Sequence, residues 1–532
     1  MSSGWIHDLN TDAPSAPVVT DVCILGAGPV GLTLTCALAQ LGLSVTVLEL
    51  GGSTSCPADT SDVHFDSRPY RGATIGRAMG LGGTSVLWGG QLLPIRAADL
   101  LARPQIGAPA WPIAYAQIEP YFAPLQKLLR VRGDGFDLPS TRGSASALTS
   151  LDFTDWEPRA SKWLSFRRRN VAMALNGHLS RHSGIQVWLN ARVDGWELGG
   201  TNNERSVREL HARSAHGETL RVQPRAVVIA GGALEAARSV LDLNAAAGSL
   251  SAGVSALAGR FLHDHLSLRI ARVRVVDEAQ FQCRFAPFFE GSTMRSLRME
   301  LPPNTLANEN LPALYAHFIA EPQPGSGFAV VRDCLRAVQR RDVGLILESA
   351  RRVPRALPEI AKIAHARFAK RRLAFPAHSE FYLHVDLEQA PRYENRVYLG
   401  NAAGRERAAL HIDWNVKENA PRIAGAVQKQ FERFWSRNTL GQVATLEFLD
   451  LSNASQAWNG NIYDLYHPAG TTRMAEDRDA GVVDQNLRIH GTGNAFVAGC
   501  SVFPSLGAAN PTFTAMALGL RLANFIAGME SA

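Results

Sequence analysis

Residues 22–48 form the longest informative pattern in the chain, an apolar stretch without a single charge. VCIL (22–25) is a short apolar strand, GAGPVG follows, LTLTCALAQLG stays apolar over the length of a helix, and SVTVLEL closes the unit as a second strand ending near Leu50. The stretch is long enough to cross a bilayer, which needs about 20 residues. Its three glycines and Pro29 at one end point instead to a β-α-β unit. Further on, FYLHVDLE (381–388) alternates strictly, with Leu383, Val385 and Leu387 against His384, Asp386 and Glu388. That predicts a half-buried strand. Its polar face is expected to meet solvent, with sugar hydroxyls as the alternative contact. NRVYLG and LHIDW come next, so an antiparallel sheet is expected there.

The tail reads as a loop, YHPAGTTRM (466–474), a turn and strand (LRIHG, 487–491), a buried strand (AFVAGC, 495–500) and a helix over 511–527. Asn510 and Pro511 have the residue types of an N-cap and a first helical position. Residues 332–372 stand apart in charge. They hold 12 Lys and Arg against Asp333, Asp342, Glu348 and Glu359, a net of 12 − 4 = +8, whereas the whole chain is 54 − 48 = +6. The basicity is therefore local. Pro354 and Pro358 are expected to split this segment into two helical pieces, the second with an apolar stripe of Ile360, Ile363, Ala364 and Phe368. A basic amphipathic helix suits an anionic membrane surface. A solvated lid or subunit-contact helix is the plainer expectation, and no recognition motif for nucleic acid accompanies the patch.

At 532 residues the chain has room for two or three domains, and 46% hydrophobic with 19% charged residues is ordinary for a globular α/β enzyme. The six cysteines fall at no metal-ligand or haem-attachment spacing and are expected to be reduced and structural. The first residues, MSSGWIHDLNTDAPSAP, lack a basic start followed by an apolar stretch, so a cytoplasmic location is expected, with peripheral contact at the inner membrane surface through 332–372 as the variant.

The spacing Gly26-x-Gly28-x-x-Gly31 lies where a strand turns into a helix, as dinucleotide binding requires. Gly26 permits the tight turn, Gly28 admits a pyrophosphate, and Gly31 lets helix and strand approach. The helix N-terminus offers unpaired N–H groups to phosphates. Glu49, ending the second strand, is placed to accept ribose hydroxyls, which favours FAD or NAD over NADP. A second glycine cluster, GRAMGLGGTSVLWGG (76–90), is unexplained by a nicotinamide enzyme but suits the longer path of a flavin. A helix starting at Pro511 would turn its positive end toward whatever precedes Asn510, suited to the negative charge of a reduced flavin.

GAGPVGL, GLGGTSVLWGG, WPIAYAQIEPYF, RAVVIAGGALEAARSVL, GRFLHDH, HPAGTTRM and the tail through GAANPTFTAMALGLRLA occur in an order that resembles the glucose-methanol-choline (GMC) oxidoreductases, with the tail most similar to the pyranose oxidase branch. The resemblance implies an α/β fold of two domains: a Rossmann-like FAD-binding domain in three parts (1–95, 188–262 and 455–532) and a substrate domain on an antiparallel sheet flanked by helices (96–187 and 263–454, including a basic helical segment at 328–373). It implies that Gly26, Gly28, Gly31 and Glu49 hold the ADP moiety, that Gly82, Gly83, Thr84 and Ser85 follow the pyrophosphate and flavin, and that the backbone of Val193 meets adenine. Gly499, followed by Cys500, stands where the common family motif has Asp, as in the pyranose oxidase branch, so the contact to the flavin side chain is expected from backbone N–H groups instead, while Pro511 with Thr512 lies at the pyrimidine edge. His467 matches the catalytic base and Asn510 its partner. Leu87 stands where the pyranose oxidase branch has a flavin-linking histidine, so the FAD is expected to be non-covalent.

Oxidising an alcohol removes a hydride from carbon and a proton from oxygen. A base poised near neutral pH assists the second, typically by about 10² to 10⁴-fold, and histidine suits that task. The expected activity is oxidation of an alcohol, with a sugar or glycoside as the favoured substrate, a sterol-like alcohol or a non-redox flavin-retaining lyase as alternatives, and oxygen, a quinone or another molecule as electron acceptor. His263, Asp264 and His265 cannot easily share one ion, so no metal is expected and that trio is read as structural.

Overall fold

A computed structural model describes residues 5–133, 135–138, 146–201, 204–323, 326–340, 343–376, 379–401, 407–452 and 461–531. Two large sheets organise them. The first runs in the order Ile6–Asp8, Ile185–Leu189, Val45–Leu48, Val18–Leu25, Thr219–Ile229, Glu204–Arg213 and Arg192–Thr201, with Ala495–Val497 also paired to Thr219–Ile229. All neighbours are parallel except the last two strands, which return as an antiparallel meander. Val45–Leu48 is buried at every position, as a parallel strand covered on both faces must be. Helix Pro29–Gln40 packs on helix Pro511–Ser531. The second of these has the length and apolarity to cross a membrane, yet two-thirds of it is buried within the protein, the signature of a core helix.

The second sheet is antiparallel, in the order Ala444–Phe448, His265–Val275, Glu380–Glu388, Leu314–Glu321, Thr293–Glu300, Glu157–Trp163 and Gln91–Leu92. One face is apolar. Leu383, Val385 and Leu387 join Ile423, Val427, Phe431 and Phe434 of helix Ala420–Arg437 in a core of their own. The opposite face carries His384, Asp386 and Glu388, and here the expected solvent contact does not occur: their exposures are 0%, 5% and 0%. This face is turned inward, toward the loops that leave the parallel sheet. Strands Arg396–Leu399 and Leu410–Asp413 do not extend it; they form a separate three-stranded sheet with Val63–Phe65. Residues 487–491 make isolated bridges in place of the expected strand.

The basic segment forms helices Gly327–Arg340 and Val343–Phe368. Contrary to the sequence expectation, Pro354 and Pro358 lie inside the second helix without dividing it. A proline strips a partner from the carbonyl four residues back, here Ala350 and Pro354. Both residues are exposed, so water can satisfy the orphaned oxygens and the helix continues.

Phe431 is fully buried among the rings of Phe318, Phe434 and Trp435. Phe431→Ala is expected to cost about 3 to 5 kcal/mol, read as a lower denaturant midpoint with an unchanged slope.

Candidate functional site

A cleft opens beside the parallel sheet, bordered by Leu25 and Leu48 at the ends of two of its strands. One end is lined by Ala191, Arg192 and Val193, the other by His467, Pro511 and Thr512. Its floor is the glycine turn. Gly26 has φ +113, and a Cβ there would lie 2.8 Å from the carbonyl oxygen of Ala230. A Cβ on Gly31 would lie 2.0 Å from the oxygen of Gly26, so only glycine lets the helix start this close to the strand. Gly28 differs: no heavy atom lies within 4 Å of where its Cβ would be, and the residue borders the cleft. The space above it is open to a ligand. Helix Pro29–Gln40 begins there with no side-chain cap and no acid in its first turn, leaving its N–H groups free for an anion.

Glu49 lies in the cleft wall, but its carboxylate does more than await a ribose. Oε2 accepts from the Ala27 N–H at 2.7 Å, and Oε1 from Gly80 at 2.8 Å and Gly51 at 3.0 Å. Burial pushes its pKa up while these three donors pull it back. The residue therefore ties both glycine loops to the strand end. In the second loop the Gly82 N–H donates to Ala27 at 2.9 Å. Gly83 and Thr84 reach the cleft, whereas Gly82 and Ser85 lie behind it. Ser85 Oγ donates to the Gly82 oxygen at 2.5 Å and accepts from Val171 N–H at 3.0 Å, pinning the loop from beneath. Gly499 and Cys500 line the cleft too, and burial pushes the Cys500 thiol up to about 12.

The sequence reading missed a charged cluster in the same wall. Glu235 accepts from Arg77 at 2.9 Å and Arg407 at 2.6 Å; despite its burial, those guanidiniums and Arg238 hold its pKa down at about 2. Arg77 Nη1 is buried without a partner among the described residues, on a residue that borders the cleft. A lone arginine within a glycine-rich segment was the available signal.

His467 follows Tyr466, whose φ of +64 is unusual for a residue with a side chain. The turn holds because the His467 N–H donates to Asp264 Oδ1 at 2.8 Å, an oxygen that also accepts from the His265 N–H at 2.6 Å. Tyr70 meets the other oxygen of Asp264. Ring to ring, His467 Nδ1 lies 3.0 Å from His265 Nδ1, and His265 Nε2 lies 2.8 Å from the Gly507 carbonyl oxygen. The chemistry of the last contact sets the rest. A carbonyl only accepts, so His265 Nε2 carries the hydrogen and its Nδ1 accepts. His467 Nδ1 must then be the donor, which leaves the lone pair of a neutral His467 on Nε2. Burial, with a smaller push from His265, lowers the His467 pKa to about 3. His467 borders the cleft.

His265 therefore corrects the purely structural reading of HDH: Asp264 anchors the loop, but His265 orients the neighbouring imidazole. Its alternation with Ser267 and Arg269 on one face of strand His265–Val275 was the sign to follow. Asn510, expected as an N-cap, has its side-chain oxygen buried with no partner among the described residues, so that oxygen does not cap the helix. It stands three residues after Gly507, and the two residues following it border the same cleft as His467.

A cleft built on the glycine turn of a parallel sheet and bordered by an oriented imidazole, in a fold with a second, antiparallel sheet, has the layout of a two-domain dinucleotide-binding protein. Residues 391–519 match the family described as GMC oxidoreductase. Uncharacterized GMC-type oxidoreductases of Mycobacterium bovis and Mycobacterium tuberculosis are 32% identical over 145 residues, 27% of this chain and 25% of each relative. The aligned part thus spans a quarter of the length of these curated relatives. Among solved structures, pyridoxine 4-oxidase from Mesorbium loti superposes with a TM-score of 0.57 at 19% identity, over 95% of this chain and 99% of that one. A variant of Aspergillus oryzae formate oxidase does so with a TM-score of 0.57 at 14% identity, over 97% and 100%. By sequence the likeness to GMC oxidoreductases lies in residues 391–519, and the fold is similar to that of these two oxidases along nearly the whole chain.

FAD is the cofactor this cleft fits. The open space over Gly28, the uncapped helix start and the unpartnered Arg77 Nη1 suit a pyrophosphate, and the lining from Val193 to Thr512 gives a path for the two ends of the molecule. Gly28→Val should leave the melting temperature of the apoprotein unchanged yet abolish the yellow colour of the purified protein, while Gly31→Ala should lower both. Absorbance near the flavin maximum and a thermal melt separate the two.

Proposed function

We propose that the protein oxidises an alcohol CH–OH to a carbonyl, with His467 as the base. The observation that carries this reading is the hydrogen-bond chain from Gly507 through His265 to His467, which leaves a lone pair on Nε2 at the cleft. FAD, when bound, supplies the hydride acceptor. His467 Nε2 takes the hydroxyl proton, and the amide of Asn510 is assigned to hold the substrate oxygen so that the C–H is aimed correctly. Gly26, Gly28, Gly31, Glu49, Gly83, Thr84, Val193, Gly499, Cys500, Pro511 and Thr512 are assigned to cofactor contacts, with Gly82 and Ser85 shaping the loop. Leu87 offers no nucleophile for a covalent link, in keeping with a dissociable FAD.

The polar sheet face supports a substrate with several hydrogen-bonding groups, a sugar or glycoside before a sterol. His384 Nε2 is buried without a partner among the described residues, beside Asp386, whose carboxylate pairs with His317. Leaving such a group unmet costs about 1 to 3 kcal/mol, a cost that hydroxyls relieve and an apolar skeleton does not. Asp386 lies on the same face as His265, two register positions along the sheet, because Asp386 pairs with Ser267 and Glu388 with His265. That is roughly 7 Å away.

An anaerobic screen of sugars, polyols and apolar alcohols for bleaching of the flavin tests the reading, and admitting air then tells whether oxygen takes the electrons. Carbonyl release without bleaching would mean a lyase. His467→Ala should retain the flavin and lose about 10² to 10⁴-fold in turnover; unchanged turnover sinks the base assignment.

The pH dependence carries a sign. The base works only when neutral, and a pKa of about 3 keeps it neutral through pH 5, so kcat/KM should not fall on the acid side near the ordinary histidine value of about 6.5. An acid limb centred there contradicts the burial argument. The same depressed pKa makes the unfolded chain bind the proton first, so His467 withdraws stability as pH drops from about 6.5 toward about 3.

A further inference from the structure

Helix Val343–Phe368 buries only Ser349, Ala356 and Ala366 of its side chains. The rest of its surface is unusual. Val343, Leu347, Leu357 and Phe368 are exposed at 68%, 60%, 56% and 79%. With Ala350, Pro354 and Ala361, also exposed, they fall at spacings of four and three residues from Val343 to Ala361 and of seven from there to Phe368, and so lie along one apolar face of the helix. Counting Leu335, Val338 and Leu345, seven of the fifteen exposed large apolar side chains among the described residues lie in this hairpin. Elsewhere they are scattered singly.

The strip has a charged border of one sign. At 100° per residue, Arg351, Lys362 and Arg355 lie along one flank of it, all exposed. The two acids of the helix are engaged elsewhere: Glu348 pairs with Arg352, and Glu359 accepts from the Gly327 N–H. The helix is held to the protein at its end, where Arg372 Nη1 donates to the Ala286 oxygen at 3.0 Å and Arg367 stacks on Phe289. At 26 residues it is about 39 Å long.

We propose that this helix docks the protein on an anionic bilayer surface, its apolar strip in the headgroup and acyl boundary and its cations on lipid phosphates. An exposed apolar strip needs a cover, and the flanking charge selects which. A second copy packed helix to helix would bring Arg351, Arg355 and Lys362 against their own kind, the two acids of the helix being already paired with Arg352 and the Gly327 N–H, whereas an anionic leaflet meets both the apolar and the basic halves. This inference does not depend on the chemistry assigned to His467.

The test is co-sedimentation of the flavin-loaded protein with phosphatidylcholine vesicles, with and without phosphatidylserine. Binding is expected to the anionic vesicles alone and to be released by salt. Removing one cation, as in Arg355→Ala, should weaken partitioning about fivefold, and the pair Leu347→Asp with Leu357→Asp should abolish it while leaving turnover of a soluble substrate unchanged. Absence of binding to phosphatidylserine vesicles at low salt overturns the proposal. So does binding that the paired aspartate variant retains, or a concentration-dependent dimer that this variant dissolves.

Discussion

Asp264 is the buried carboxylate on which the geometry of the site depends. Its Oδ1 gathers the N–H groups of His265 and His467, which are 202 residues apart in the chain, and its Oδ2 meets the Tyr70 hydroxyl. Burial, with Asp464 beside it, raises its pKa well above the ordinary value. Burial also raises that of Tyr70. A carboxyl with all its neighbours fixed in this way cannot drift, and the first residue of strand His265–Val275 is thereby fastened to the loop that carries His467. The positive φ of Tyr466 is the local cost of that fastening.

Around this junction the protein uses one device repeatedly, the pinning of a loop by a buried acid. Glu388 accepts from the N–H groups of Gly507 and Ala313 and is met by Arg103, so the residue whose carbonyl orients His265 is itself held from behind. Glu49 does the same for the two glycine loops, and Glu235 for Arg77 and Arg407. Each carboxylate is removed from water and repaid by several donors, which is the condition under which burying a charge is tolerable. The outcome is a cleft whose walls are fixed before any ligand arrives, which is what an electrostatically preorganised site requires.

The histidines follow the same logic with the opposite sign. His265, His384 and His467 are all pushed toward the neutral form, chiefly by burial. Neutral rings donate through one nitrogen and accept through the other, so a chain of them has a direction, and the carbonyl of Gly507 sets it. A charged ring anywhere in that chain would donate from both nitrogens and leave the cleft without a lone pair.

Local chemistry along the chain was enough to place the glycine turn, the two strands that flank it, the alternating strand ending at Glu388 and the helix opened by Pro511, because backbone sterics and side-chain periodicity act over a few residues. Motif order singled out His467 and Asn510 as candidates and suggested the family. It could not tell that Ser85 and Gly82 lie behind the cleft, that Glu49 is engaged by three amides, that two prolines pass through a helix intact, or that the polar face of the long strand is sealed inside. Those facts turn on which surfaces meet across hundreds of residues. His265 illustrates the boundary: its residue type was visible in the letters GRFLHDH, but its role exists only because folding sets its ring between a carbonyl at 507 and an imidazole at 467.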